Sequence, residues 1–348
     1  MTKSTLLLIG NHLPTDKYNK NVWHSLAEHL ERAGWHVITT SSKENRFLRL
    51  MDMLKTIWQE RNNYHLAQVD VFSGKAFIFA EVCCTALNRR KKPVVLILHG
   101  GGLPEFSLQH PHRMRRLLQT ATAVVTPSAF LQQELHRFCQ EIKVIPNPID
   151  LSKSIFRLRQ NPTPSLVWVR AFHKVYNPTL AIEVLSRLKN CFPYIHLTMI
   201  GPDKRDKSLT RVRTLIDQYH LHDHVKLIPG LSHEKIPAQL NEADIFINTS
   251  NYDTLPRSLI EAMANGLCIV STNVGGIPNL INDQEDALLV PPDQPEKMAA
   301  AVNKILTENE LAYYLSQNAR KKAEGYDWSA ILPQWENLFT ALIEAKHG

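Results

Sequence analysis

Short apolar runs alternate with longer amphipathic stretches along the whole chain. "TLLLIG" opens the series, the helix-period stretch "NVWHSLAEHLERAG" follows, and "WHVITT" comes next. Later runs are "QVDVFSG", "PVVLILHGG", "AVVTPS" and "KVIPN". Runs this short and this apolar predict strands buried on both faces of a parallel sheet, with the amphipathic stretches as its covering helices. At "IPNPID", residues 145–150, two prolines break the rhythm and a loose "LRQNPTP" follows, which reads as a linker. The alternation then restarts with "SLVWVRA", "HLTMIGP", "HVKLIPG", "ADIFINT", "CIVSTN" and "ALLVPP", and the chain closes on the helical "DWSAILPQWENLFTALIEAK". The pattern predicts an α/β protein with two doubly wound domains, 1–148 and 149–326. A C-terminal helix within 327–348 is expected to pack back towards the first domain. Ligands of such sheets bind beyond the carboxyl ends of the strands, here in the cleft expected between the domains.

A length of 348 residues suits two domains, and 44% hydrophobic with 21% charged residues is ordinary for a globular protein. No apolar run is long enough for a spanning helix, and "MTKSTLLLIGNHLPT" reads as a first strand, not a signal peptide. The five cysteines are scattered without zinc or disulfide spacing, so a cytoplasmic setting is expected. A formal charge of +7 suits a phosphate-bearing ligand or an anionic lipid surface. Without an aromatic-rich RNA motif or a basic zipper, nucleic acid is not the expected partner.

Four stretches carry candidate chemistry. The loop after the first run has Gly10 but no G-x-G-x-x-G, which disfavours a nicotinamide or flavin enzyme. "LILHGGG" puts His99 at a strand end before three glycines, a position suited to a ligand contact. "VWVRAFHKVYNP" places Arg170 at a strand end and Lys174 in the loop before a helix, cations of the kind that bind phosphate. In "NYDTLPRSLIEAMANG", Pro256 marks a helix start, and the first-turn amides near Arg257 and Ser258 offer an anion site. Asp253 lies before that helix and Glu261 within it. A ligand with an anionic middle, a sugar at one end and a ribose at the other matches all three parts: a nucleotide sugar.

"DTLPRSLIEAMANGLCIVSTNVGGIPNLI" resembles the donor-site signature of glycosyltransferase family 4, retaining enzymes with the GT-B fold. "AVVTPSAFLQQEL", "KVIPNPID", "LTMIGPD" and "HVKLIPGLSHEKIPAQLNEADIFINTS" resemble further segments of that family in the same order, over nearly the whole chain. The resemblance implies two Rossmann-like domains facing across a cleft, the first on the acceptor side and the second on the donor side. It implies catalytic roles for Asp253 beside the transferred sugar, for Arg170 on the diphosphate and for His99 on the donor sugar. Glu261 would hold the ribose, and Lys174, Leu255, Pro256, Arg257 and Ser258 would line the donor. Three positions depart from the family: Asp253 replaces the usual first glutamate, Lys174 comes early with Tyr176 near the usual basic position, and "NKN" at 19–21 stands where a Gly-Gly pair is common.

The resemblance further implies a front-face reaction in which the leaving phosphate deprotonates the acceptor hydroxyl. No Asp-x-Asp pair follows a strand, so no metal or other cofactor is expected, and fixed cations and helix-start dipoles would stabilise the leaving group. The acceptor is expected to be a glycan, a lipid-linked glycan or a small molecule. A noncatalytic nucleotide-sugar-binding protein is the alternative. In "RFLRLMDMLKTIWQER", 46–61, Phe47, Leu50, Met51, Leu54, Ile57 and Trp58 recur at helical spacing among basic residues. That stripe either packs on the domain core or lies on a membrane, which would place the protein peripherally at the inner face.

Overall fold

The computed structural model describes residues 3–10 and 22–345. The acceptor-side departure at 19–21 lies outside the described residues. The chain divides into two compact units, Met1–Pro148 with Ser329–Gly348, and Ile149–Trp328.

In the first unit the strands are β1 (Thr5–Ile9), β2 (His36–Thr40), β3 (Leu66–Val71), β4 (Val94–Leu98), β5 (Ala123–Thr126) and β6 (Ile142–Val144). They form one parallel sheet in the order β2-β1-β3-β4-β5-β6. Helices α1 (Val22–Arg32), α2 (Arg46–Gln59) and α3 (Phe77–Asn88) follow the first three strands. All six residues of β3 are buried, Gln68 and Asp70 among them, because helices cover both faces of a parallel sheet. The chain runs from β1 outward to β2, then reverses to β3 on the other side of β1. Such a reversal leaves a crevice at the carboxyl ends of the two strands, here beyond Ile9 and Val71. The C-terminal helix Trp328–Glu344 is anchored in this unit by the indole of Trp35, which donates to Glu336 Oε1 at 2.9 Å and packs edge-on against Phe339.

Helix α2 corrects the single stripe read from its sequence. Asn45 caps its start by accepting from the amides of Phe47 and Leu48. Met53 and Ile57 are buried, and Leu50 and Leu54 pack against the same core. Phe47 (71% exposed), Leu48 (55%), Met51 (51%) and Trp58 (57%) instead face solvent. Residues 47, 51 and 58 share one side at helical spacing, so the helix has two apolar faces and only one of them is covered.

The second unit repeats the plan. Strands β7 (Ser165–Val169), β8 (His196–Ile200), β9 (Val225–Ile228), β10 (Ile245–Asn248), β11 (Cys268–Thr272) and β12 (Leu288–Val290) form a parallel sheet ordered β12-β11-β10-β7-β8-β9. Successive residues of a strand point to opposite faces. Leu166 and Trp168 therefore enter one core cluster and Val167 the other, and Ile245 and Phe246 separate in the same way. Here the order reverses between β7 and β10, so the crevice lies beyond Val169 and Asn248. Trp168 fixes that edge from beneath: its indole donates to Thr249 Oγ1 at 2.9 Å, and the same hydroxyl donates to the carbonyl of Tyr176 at 2.8 Å.

Candidate functional site

Arg170 follows β7 directly, and its amide donates to the carbonyl of Ile200 on β8. Gly201, after β8, lies so close that a Cβ there would stand 1.7 Å from the Arg170 carbonyl oxygen. The glycine of "IGPDKR" thus serves strand packing and not a dinucleotide. The Arg170 guanidinium pairs with Asp253 and stacks over the Tyr176 ring at 4.9 Å. Its Nε is buried and has no hydrogen-bond partner among the described residues.

Asp253 is held from three sides. One carboxylate oxygen takes the Arg170 guanidinium, and the other accepts from the amide of Leu255 at 3.2 Å. Its backbone carbonyl accepts from Gly276 at 2.8 Å. Gly275, at φ +53°, passes so near that a Cβ would meet that carbonyl at 2.1 Å. The Gly-Gly pair of the signature therefore holds the acid in place, since only glycine permits both the left-handed backbone and the approach.

The helix after Asp253 spans Arg257–Ala264 with Pro256 at its N-cap, one position earlier than the first-turn role read from sequence. Amides in its first turn lack intrahelical acceptors. The buried Ser258 hydroxyl also has no partner among the described residues. One turn on, Glu261 Oε1 accepts from Arg257 Nε at 2.8 Å and meets His233 Nε2 at 2.8 Å. Burial pushes the Glu261 pKa up, but the His233 hydrogen bond and the Arg257 charge outweigh it and hold the carboxyl below its ordinary range.

The second unit thus brings together Arg170, Asp253, Leu255, Pro256, Arg257, Ser258 and Glu261. Lys174 is exposed in the short turn Lys174–Tyr176, its amide donating to Asp206 at 2.8 Å, and Tyr176 is the residue that meets Arg170. His99 belongs to the first unit: it follows β4, stacks on Phe72 at 5.1 Å, and has Nε2 3.4 Å from Asp70 Oδ1. Sequence reasoning missed His233 and Asp70. His233 opens the short 3-10 helix His233–Lys235, 28 residues before Glu261, and Asp70 is hidden inside an apolar run. Among the described residues no group of three or more His, Cys, Asp or Glu is placed to hold a metal ion. No helix among them is long and apolar enough to cross a membrane.

Two parallel six-stranded sheets, each with a crevice at its reversal point, define the GT-B class. The sucrose-phosphate synthase of Thermosynechococcus elongatus has the same fold, with a TM-score of 0.81 at 20% identity over 99% of this chain and 100% of that one. Anabaena HepE, solved in complex with UDP-glucose, superposes with a TM-score of 0.74 at 17% identity over 97% of this chain and 100% of its own. The family model "Glycosyltransferase Family 4" matches residues 20–153 and "Glycosyl transferases group 1" matches residues 153–322. The chain belongs to glycosyltransferase family 4. Among its curated relatives, the putative colanic acid biosynthesis glycosyltransferase WcaL of Escherichia coli K12 is 34% identical over 177 residues. That match takes in 47% of this chain and 41% of WcaL. The chain thus spans well under two thirds of the length of this relative.

Proposed function

We propose that the protein transfers a sugar from a nucleotide-sugar donor to an acceptor hydroxyl, with retention of anomeric configuration and without a metal ion. The observation that carries this reading is a pair of buried atoms without a partner among the described residues, Arg170 Nε on the guanidinium that pairs with Asp253 and Ser258 Oγ in the first turn of the helix that follows. Buried polar groups are nearly always paired, and the exceptions call for an explanation. An anionic diphosphate would supply both acceptors, and the first-turn amides would add to its binding. Arg170 would then stabilise the charge that builds on the distal phosphate as it leaves. Glu261, held by Arg257 and His233, is the acceptor for a ribose hydroxyl. Asp253 orients Arg170 and lies beside the transferred sugar. Lys174 and His99 complete the donor contacts in this reading, and HepE's complex with UDP-glucose supports a nucleotide-sugar ligand.

The acceptor in this reading is a glycan or a lipid-linked glycan, and the protein works from the cytoplasm in peripheral contact with an anionic membrane surface. The uncovered face of α2 supports that contact. Phe47, Met51 and Trp58 are exposed on it, and exposed Lys43, Arg46 and Lys55 suit an anionic surface.

Thermal shifts with a panel of UDP-, GDP- and ADP-sugars test the donor, because a specific ligand stabilises the fold in proportion to the logarithm of its excess over Kd. Slow hydrolysis of the stabilising donor, unaffected by EDTA, separates a transferase from a noncatalytic binder. The anomer of the product, read by NMR, tests retention. Absence of any shift across the panel would sink the reading.

A further inference from the structure

The guanidinium of Arg170 is held by two neighbours, and only one of them takes up a hydrogen-bond donor. Nη2 pairs with Asp253, whereas Cζ lies over the Tyr176 ring, 4.9 Å from its centre. An aromatic face attracts a cation through the negative side of its quadrupole. A guanidinium carries five N–H donors in one plane, and a ring beneath that plane leaves all five unused. A second carboxylate in the same place would bind two of them and offset the charge. Nε, buried and without a partner among the described residues, is a donor that this arrangement preserves.

The position of the ring is set elsewhere. Tyr176 closes the short turn Lys174–Tyr176, and each residue of that turn is tied through its backbone. The Lys174 amide donates to Asp206 Oδ2 at 2.8 Å, and the Val175 amide donates to His173 Nδ1 at 3.2 Å. The Val175 carbonyl accepts from the Asn251 amide at 2.7 Å, and the Tyr176 carbonyl accepts from the Thr249 hydroxyl. Asn177, in the left-handed region at φ +44°, ends the turn and starts the helix Pro178–Leu188. None of these contacts involves Arg170. The residues that follow β8 and β10 therefore fix the ring independently of the cation that it meets. The ring also packs against the apolar core that contains Trp168 and Phe172, but any apolar side chain of similar size could do that.

We infer that Tyr176 is the positioning residue for Arg170. Its ring holds the cation without adding a negative charge, which keeps Nε for a phosphate oxygen of the ligand. The role belongs to the face of the ring and not to the hydroxyl. The phosphate-bearing ligand rests on the transferase reading, whereas the hold on the guanidinium rests on the geometry alone.

The test uses the full chain with isotope-labelled arginine and inorganic pyrophosphate as the probe. The Arg170 Nε–H signal is assigned by its loss in Arg170→Gln. Pyrophosphate should move that signal downfield in wild type, and calorimetry gives the affinity. Tyr176→Leu keeps an apolar side chain but loses the ring. It should weaken pyrophosphate binding about three- to thirty-fold, the span of a cation–π contact from exposed to desolvated. Tyr176→Phe should recover the affinity to within about threefold, because it keeps the face. Tyr176 replaced by pentafluorophenylalanine keeps the shape of the ring and inverts the charge of its face, so it should bind no better than Tyr176→Leu. That variant decides the matter if Tyr176→Leu fails to fold.

Equal affinity in wild type and Tyr176→Leu overturns the inference, as does a Tyr176→Phe protein as weak as Tyr176→Leu. A fluorinated ring that binds as tightly as wild type makes Tyr176 a packing residue and overturns it too. An Arg170 signal that stays still at millimolar pyrophosphate overturns the assignment of Nε to a phosphate oxygen. A protein that meets these expectations with pyrophosphate but turns over no nucleotide sugar fails the transferase reading. It leaves Tyr176 standing as the positioning residue of a diphosphate site.

Discussion

The two sheets of this chain reverse at equivalent points and present their crevices with opposite chemistry. In the second unit each acid is already satisfied: Asp253 by Arg170 and Leu255, Glu261 by Arg257 and His233. At that crevice the atoms without a hydrogen-bond partner among the described residues are Arg170 Nε, a donor, and the Ser258 hydroxyl. At the first unit's crevice Asp70 Oδ1 accepts no hydrogen bond among the described residues and stands 3.4 Å from His99 Nε2, in a mostly apolar cavity. Surplus donors select an anion and a surplus acceptor selects a hydroxyl. One fold used twice thus presents different chemistry at its two crevices, with the difference carried by a few side chains at strand ends.

The largest expected effect comes from removing the arginine of the second crevice. Arg170→Gln should lower turnover by about a hundred- to a thousand-fold, the usual cost of losing one preorganised transition-state contact. Steady-state kinetics with the donor identified by thermal shift measures it, and a loss under tenfold would remove Arg170 from the chemistry. Asp253→Asn comes next. It should reduce turnover by about ten- to a hundred-fold, more than it reduces donor affinity, because in the proposed reading the acid acts through a contact strengthened in the transition state. Asp253→Glu, with the family's usual acid, should retain activity. Normal turnover in Asp253→Asn would leave that residue as a holder of Leu255 and nothing more.

Glu261 and Asp70 break the comparison in another way, through stability. The Glu261 pKa is depressed in the folded state, so its contribution is present above the unfolded glutamate pKa of about 4.3 and is lost as pH falls through the folded value. Glu261→Gln should therefore melt below wild type at neutral pH, with the gap closing on acidification. Asp70→Asn should show no such deficit. Melting curves for both from pH 7 to pH 3 decide it, and a deficit in both variants would mean that the crevices do not differ as described.

The sheets were legible in the sequence because a strand buried on both faces has to be apolar throughout, and runs such as "TLLLIG" and "ADIFINT" have few other uses. Much of the second crevice was legible too, since Asp253, the helix start and Glu261 are contiguous. What stayed hidden depends on approach between distant residues. Asp70 sits in the run "LAQVDV", and its meaning comes from Gly10 and His99, which are near only after folding. Likewise, the sequence has Gly275 but not its contact with the Asp253 carbonyl, and nothing in "LSHEKIP" announces that His233 meets Glu261. Periodicity also cannot say which side of a helix is covered, and α2 turned out to bear apolar residues on both.

That two-faced helix gives the smallest expected effect on stability. Phe47, Met51 and Trp58 touch mostly water, so replacing all three by serine should change stability by no more than about 0.5 kcal/mol per site. Met53 and Ile57 belong to the core, and either one replaced by alanine should cost about 2–5 kcal/mol through lost burial and the cavity left behind. The same outer triple variant should lose binding to phosphatidylglycerol-containing vesicles, and wild-type binding should weaken as salt rises, because Lys43, Arg46 and Lys55 contribute through screened attraction. Co-sedimentation at low and high salt reads both. If the triple variant is as stable as wild type and still sediments with vesicles, the uncovered face of α2 is not the contact. If the triple variant unfolds, that face is covered in solution, and the division of α2 into one covered and one open side is wrong.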